Sequence, residues 1–189
     1  MLLVPGCSEY GLGDDADPVD YDPGVPAEGE AQLTCMTSYD GVMPWRKSEL
    51  WYGDEPPVDA SGALWSDDDF DDSAWEVLAG LPDRGGDTTN HDVFYRSNFW
   101  LDAVEGATTI NFKGNDGMWL VVNEVLVGHW GGEWREDGCV NVESGCGVNY
   151  DEPPADVTDL FRVGHNHIAV MLTNGPPGYS LDINAHCIR

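Results

Sequence analysis

Two stretches of this chain gather side chains that could act chemically as a group. In the first, Trp119, Trp130 and Trp134 lie close in sequence to Asn115, Asp116 and His129. Indole faces stack on sugar rings, and Asn or Asp side chains hold hydroxyl pairs, which is the mixture a carbohydrate site needs. Gly131 and Gly132 would let the backbone approach a ligand closely. The plain alternative is that Trp119 packs under a loop and Trp130 fills a sheet edge. Trp45, Trp51 and Tyr52 form another aromatic group, expected as a lid across one sheet. In the second stretch, Asp67, Asp68, Asp69, Asp71 and Asp72 place five carboxylates within six residues. Such charges repel unless paired or metal-bound. Calcium binds about six to eight oxygens from carboxylates and carbonyls, so Asp67, Asp69 and Asp72 are candidate ligands of a structural calcium ion. The alternative has Asp72 capping a local turn before Trp75 and the other carboxylates solvated.

Catalytic chemistry finds no convincing constellation. Asp116 with Asp69 or Glu133 could be nominated as a glycosidase pair, but nothing in the sequence sets their separation. No G-x-S-x-G elbow is present. His165-x-His167 places two imidazoles on one side of a strand, a spacing that could hold zinc or copper, although a fortuitous pair is the simpler reading. Cys35, Cys139, Cys146 and Cys187 lack the paired C-x-x-C spacing of a zinc site. The expectation is a non-enzyme.

The elements around these residues read as strands. From Val93 to Leu101 the pattern alternates, with Tyr95, Phe99 and Leu101 on one face. Thr109 to Lys113 alternates as well. Met118, Leu120 and Val122 oppose Trp119, Val121 and Asn123, while Ile168, Val170 and Leu172 form one row. Leu181, Ile183, Ala185 and Cys187 form another. A period of two marks a half-buried strand. Gly85-Gly86, Gly131-Gly132 and Pro176-Pro177 punctuate between strands. Short strands with regular turn signals predict an all-β fold, an antiparallel two-sheet sandwich. A helical turn is expected from Asp156 to Phe161, capped by Asp156.

The chain has 189 residues and a formal charge of −27, with only eight Lys or Arg. That field repels phosphate backbones and anionic lipid surfaces, so nucleic acid is not an expected partner. Neutral sugars, cations and metals remain. Residues 8–31 are expected to be a disordered acidic linker, because residues 8–30 hold eight acidic side chains, no basic one, and Pro18, Pro23 and Pro26. Met1-Leu2-Leu3-Val4-Pro5-Gly6-Cys7 resembles the end of a bacterial lipoprotein signal, though it has no basic n-region and its apolar run is short. The resemblance implies lipidation at Cys7, with Ser8 favouring the outer membrane. The division expected is 1–7 as residual signal, 8–31 as linker and 32–189 as the folded domain.

Four motifs in succession carry a wider resemblance. They are Phe70-Asp71-Asp72-Ser73-Ala74-Trp75, then Tyr95-Arg96, then Asp116-Gly117 with the strand to Asn123, then Asp156-Val157-Thr158 and Gly164-His165-Asn166-His167-Ile168-Ala169-Val170. In order and spacing they resemble the galactose-binding-like jelly-roll domains attached to beta-galactosidases, rhamnosidases and other secreted proteins. The likeness spans roughly residues 45–187. It implies a jelly-roll sandwich acting as an accessory module, and a structural calcium near a strand-end loop. It also implies first and last strands side by side, hence a Cys35–Cys187 disulfide that closes a loop of about 150 residues and contributes ~4–5 kcal/mol. Cys139 and Cys146 are spaced for a local bridge; two other pairings of the four cysteines exist. The relatives carry Asn-Gly at a hairpin where this chain has Asn123-Glu124. Glu takes a positive φ at a cost, so a different or longer turn is expected. The function implied is an extracytoplasmic binding module for a glycan, tethered to a bacterial envelope through Cys7. The other class is a structural or adhesin-type subunit that docks a surface protein.

Overall fold

The computed structural model describes residues 25–26, 31–33, 43–53, 55–85, 91–104, 108–115, 117–130, 150–151, 155–174 and 179–187. The tail through Cys7 and the linker up to residue 24 lie outside them, as do Cys35, Asp116, Trp134, Cys139 and Cys146.

The described residues form two sheets. Their strands are β1 (Ala31–Leu33), β2 (Trp45–Lys47), β3 (Glu76–Val77), β4 (Asp83–Gly85), β5 (His91–Leu101), β6 (Thr108–Asn115), β7 (Gly117–Val122), β8 (Val125–Trp130), β9 (Tyr150–Asp151), β10 (Ala155–Asp156), β11 (Gly164–Asn174) and β12 (Tyr179–Cys187). The first sheet runs β3-β2-β5-β11-β7-β8, and the second runs β10-β6-β12-β4 with β9 also on β6. All pairings are antiparallel except β1, which runs parallel to β5. The chain alternates between sheets, from β5 to β6 to β7 and from β10 to β11 to β12, so each long strand must bury a face against the other sheet.

That inner face is apolar. Val93, Tyr95, Phe99 and Leu101 of β5 meet Ile168, Val170 and Leu172 of β11, Met118, Leu120 and Val122 of β7, and Leu181 and Ile183 of β12. Each such side chain contributes roughly 1.5–3 kcal/mol by leaving water. The alternation read from sequence is therefore the pattern observed. Tyr95 keeps its hydroxyl satisfied by donating to Asp83 Oδ2 at 2.8 Å. Lys47 Nζ meets the same oxygen at 2.8 Å, which ties β4 of one sheet to β2 and β5 of the other.

Three local expectations are corrected. Trp45 belongs to no lid, because it is fully buried in the inner core. The helical turn is a 3-10 turn over Thr158–Leu160 with Val157 at its cap, while Asp156 ends β10. The β7–β8 turn is not longer: Val122 pairs Val125, leaving two central residues, Asn123 and Glu124, both at positive φ. The strain is offset by bonds around it. Asn123 Nδ2 donates to Leu160 O and to Asn166 Oδ1, and its Oδ1 accepts from His167 N. Glu124 Oε1 accepts from Asp68 N at 3.2 Å.

Candidate functional site

The outer face of the first sheet carries the chemistry. Residues on β5, β11 and β7 that alternate away from the core share it, and register sorts them into rows. One row holds Trp51, Asp92, Thr173 and Gly117, through the Trp51–Asp92 bridge and the pairs Thr173–Asp92 and Thr173–Gly117. The next holds Phe94, Met171, Trp119 and His129. Further along come Arg46, Arg96, Ala169 and Val121, then Asn98 with His167, then Trp100 with His165. Neighbours in a row stand about 4.5–5.5 Å apart at Cβ.

At the charged end, residues 59–75 cross this face as a strap. Its start is knotted by Asp59, whose Oδ1 accepts from Ser61 N, Ser61 Oγ, Gly62 N and Ala63 N, and whose Oδ2 accepts from Asp71 N. Those bonds hold the Asp59 carboxyl well below the usual range, Ser61's hydroxyl most strongly. Gly62 sits at φ +94, a conformation that favours glycine. Trp65 and Phe70 then insert against Phe94, Val121, Ala169 and Met171.

Charge fastens the strap. Arg96 is fully buried and donates from Nη1 to Trp65 O at 2.5 Å and from Nε to Asp72 Oδ2 at 3.2 Å. Its guanidinium lies 5.4 Å from the Phe70 ring centre. Burial disfavours the Arg96 charge, and Asp72 offsets that cost. Asp72 also meets Arg46 Nε at 3.4 Å and accepts from Asn98 Nδ2 at 3.1 Å. Four residues earlier, Asp68 Oδ1 lies 2.9 Å from His165 Nε2 and 3.3 Å from His167 Nδ1, while Oδ2 meets Arg162 Nη2 at 3.3 Å. His165 first, then His167, hold the Asp68 carboxyl well below the ordinary range against the opposing effect of burial. His167 Nε2 lies 2.9 Å from Ser66 O, and a carbonyl only accepts, so this nitrogen carries the proton.

The acidic run therefore has internal partners. Asp67 Oδ2 accepts from Leu64 N at 2.7 Å, Asp71 Oδ1 accepts from Ser73 N, and Asp69 is exposed. Asp67, Asp69 and Asp72 do not converge, and no group of three His, Cys, Asp or Glu among the described residues could hold a metal ion. Asp72 caps nothing by its side chain; it is the buried counter-ion of Arg96. His165-x-His167 faces the Asp68 carboxylate.

At the other end two buried oxygens have no hydrogen bond. Asp92 is 6% exposed and Thr173 is 1% exposed. Asp92 Oδ1 and Thr173 Oγ1 are buried without a hydrogen bond. Burial pushes the Asp92 carboxyl up to about 7. Trp119 stands half-buried on this face against the outer cluster, between the Gly117 row and the strap. By register His129 is its neighbour, whereas Trp130 stands opposite Met118, a core residue. Asn115 ends β6, two positions before Gly117 begins β7. Of the sequence candidates, Asn115, Trp119 and His129 thus come to one end of the sandwich. Cys187 lies on β12 opposite Thr108. Sequence reasoning missed Asp92, Thr173, Arg96 and Arg162. The one available signal was an Asp and a Thr at outward positions beside the apolar runs of β5 and β11.

No protein-family model matches the chain, and no curated protein matches it. Solved structures with similar regions include a glycosyl hydrolase family 2 member from Bacteroides cellulosilyticus, 20% identical with a TM-score of 0.43, over 80% of this chain and 21% of that one. A Bacteroides uniformis beta-glucuronidase is 15% identical with a TM-score of 0.45, over 75% of this chain and 17% of that one. A beta-glucosidase from Kluyveromyces marxianus is 9% identical with a TM-score of 0.46, over 78% of this chain and 17% of that one. The chain thus spans at most 21% of the length of these proteins. Among the described residues, no helix is long and apolar enough to cross a membrane.

Proposed function

We propose that the chain is a non-catalytic, extracytoplasmic binding module that takes a neutral carbohydrate at the Gly117–Trp119 end of its outer face. The observation that supports this is Trp119: an indole resting on a packed cluster, half-buried, in register with His129 and beside a glycine that adds no side chain. An aromatic ring seated in this way is pre-organised to stack on a sugar at low entropic cost. The charge of −27 fits a neutral ligand and opposes a polyanionic one. Lipidation at Cys7 would hold the module at the outer membrane, with residues 8–30 as its spacer, since Ala31 already belongs to β1.

A glycan array with the parent protein and Trp119→Ala tests the reading. The expected result is glycan binding by the parent, its loss in the variant, and a small drop in melting temperature. A Trp that serves only as core would instead cost about 3–5 kcal/mol when truncated. Unfolding of the variant, or no glycan bound by the parent, contradicts the proposal. One observation favours a protein partner as the second reading: β8 is an edge strand, and its Val125 and Leu126 are exposed. A parent protein that binds no glycan moves the account there.

A further inference from the structure

The geometry points to Asp92 and Thr173 as a hydroxyl-recognising pair, which receives one ring hydroxyl of a neutral sugar stacked on Trp119. The inference rests on the glycan reading above and names the polar half of that site.

Asp92 and Thr173 face each other across β5 and β11, on the same outer face, about 5 Å apart at Cβ. Each has a buried oxygen with no hydrogen bond, Asp92 Oδ1 and Thr173 Oγ1. Buried polar atoms of folded proteins nearly always have a partner; of the eight without one among the described residues, these two are register partners on adjacent strands, and one group between them would satisfy both. Its chemistry follows from the two atoms. Asp92 Oδ1 accepts when ionised, whereas Thr173 Oγ1 can both donate and accept. A single hydroxyl completes both, donating to Asp92 and accepting from Thr173. A bare anion is repelled by the carboxylate. A metal ion finds too few ligands, since no three His, Cys, Asp or Glu assemble among the described residues.

The surroundings fit a sugar better than an isolated water. Gly117 follows Thr173 in the same row and adds no side chain, and Trp119 stands two residues further along β7. By register, a ring lying on that indole is next to the row that holds the buried Gly117 backbone and the carboxyl–hydroxyl pair. On the far side of Asp92 stands Trp51, half-buried, with its Nε1 bonded to the carbonyl of Glu55 in an exposed loop. Burial alone pushes the Asp92 carboxyl up to about 7, a cost that a donated hydrogen bond relieves.

Calorimetric titration of a panel of neutral mono- and oligosaccharides at pH 8 tests the pair, with parent, Asp92→Asn, Thr173→Val and Thr173→Ser. Both of the first two variants keep side-chain shape, and a melting curve establishes that each folds. The expected result is binding by the parent, weakened about 10-fold or more in Asp92→Asn and Thr173→Val, and largely retained in Thr173→Ser. Parent-like affinity in folded Asp92→Asn and Thr173→Val overturns the inference and leaves the Trp119 reading standing; the pair then holds a water only. Binding by no sugar in the panel overturns both.

Discussion

The two ends of the outer face solve the same problem in opposite ways. At the strap end, carboxylates meet arginines: Asp72 meets Arg96 and Arg46, and Asp68 meets Arg162 and lies beside His165 and His167. The chain has only eight Lys or Arg against 35 Asp or Glu, and three of its arginines go to this strap. At the Gly117 end, Asp92 Oδ1 and Thr173 Oγ1 are buried with no hydrogen bond. Cations so scarce are placed where they close the structure. Under the proposed function, the end left without them is the one that takes the ligand. A fully partnered carboxylate is structural; an unpartnered one held out of water is costly and calls for another explanation.

Breaking the strap should have the largest effect. Asp72→Ala leaves Arg96 buried without its counter-ion and should cost about 3–5 kcal/mol of stability in urea unfolding. A cost below 1 kcal/mol would show that Arg96 reaches water, and the contrast between the ends would weaken.

The Gly117 end should respond with the opposite sign. The Asp92 carboxyl is raised in the folded state to about 7 from 3.8, so the folded protein binds the extra proton. Stability is then highest at low pH on this account, and falls as pH rises from about 4 through about 7. Asp92→Asn removes that penalty. It should stabilise the protein at pH 8 by an amount on the order of a few kcal/mol, and change little at pH 4. A destabilised variant at pH 8 contradicts the assignment.

A smaller effect is expected at Asp68, which is partly open to water. Its carboxyl is lowered by His165 and His167, so its contribution is present above the ordinary carboxylate range and is lost as pH falls through its lower folded value. Asp68→Asn should cost about 1 kcal/mol at pH 6, and the cost should vanish in strong acid. A pH-independent cost would point to lost packing instead. Chelation should have the smallest effect of all. The buried member of the acidic run, Asp72, is held by arginines and Asn98, so calcium removal should leave the melting temperature unchanged. A fall of several degrees would restore a calcium role for residues 67–72 by mass-action linkage.

Much of the fold was legible because strand alternation is local. The rows Tyr95–Phe99–Leu101, Met118–Leu120–Val122 and Ile168–Val170–Leu172 follow from a period of two, and they are the inner core. The strap was not legible in the same way. Asp72 and Arg96 are 24 residues apart, and nothing local distinguishes a carboxylate that will meet a buried arginine from one that stays solvated. The acidic run therefore resembled a metal site. Trp45 resembled Trp51 in sequence, yet the two lie on opposite faces of one sheet. Trp119 and His129 are register partners across a tight hairpin, and such neighbours are close in sequence as well. Asp92 and Thr173 are 81 residues apart in sequence and meet only through the β5–β11 register.

The comparison is tested most directly by amide and side-chain NMR during titration of the neutral sugar that binds best. The account predicts shift changes at Asp92, Gly117, Trp119 and Thr173, and none beyond scatter at Ser66, Asp68, Asp72 and Arg96. Changes centred on the strap, with the Asp92–Thr173 pair unmoved, would contradict it.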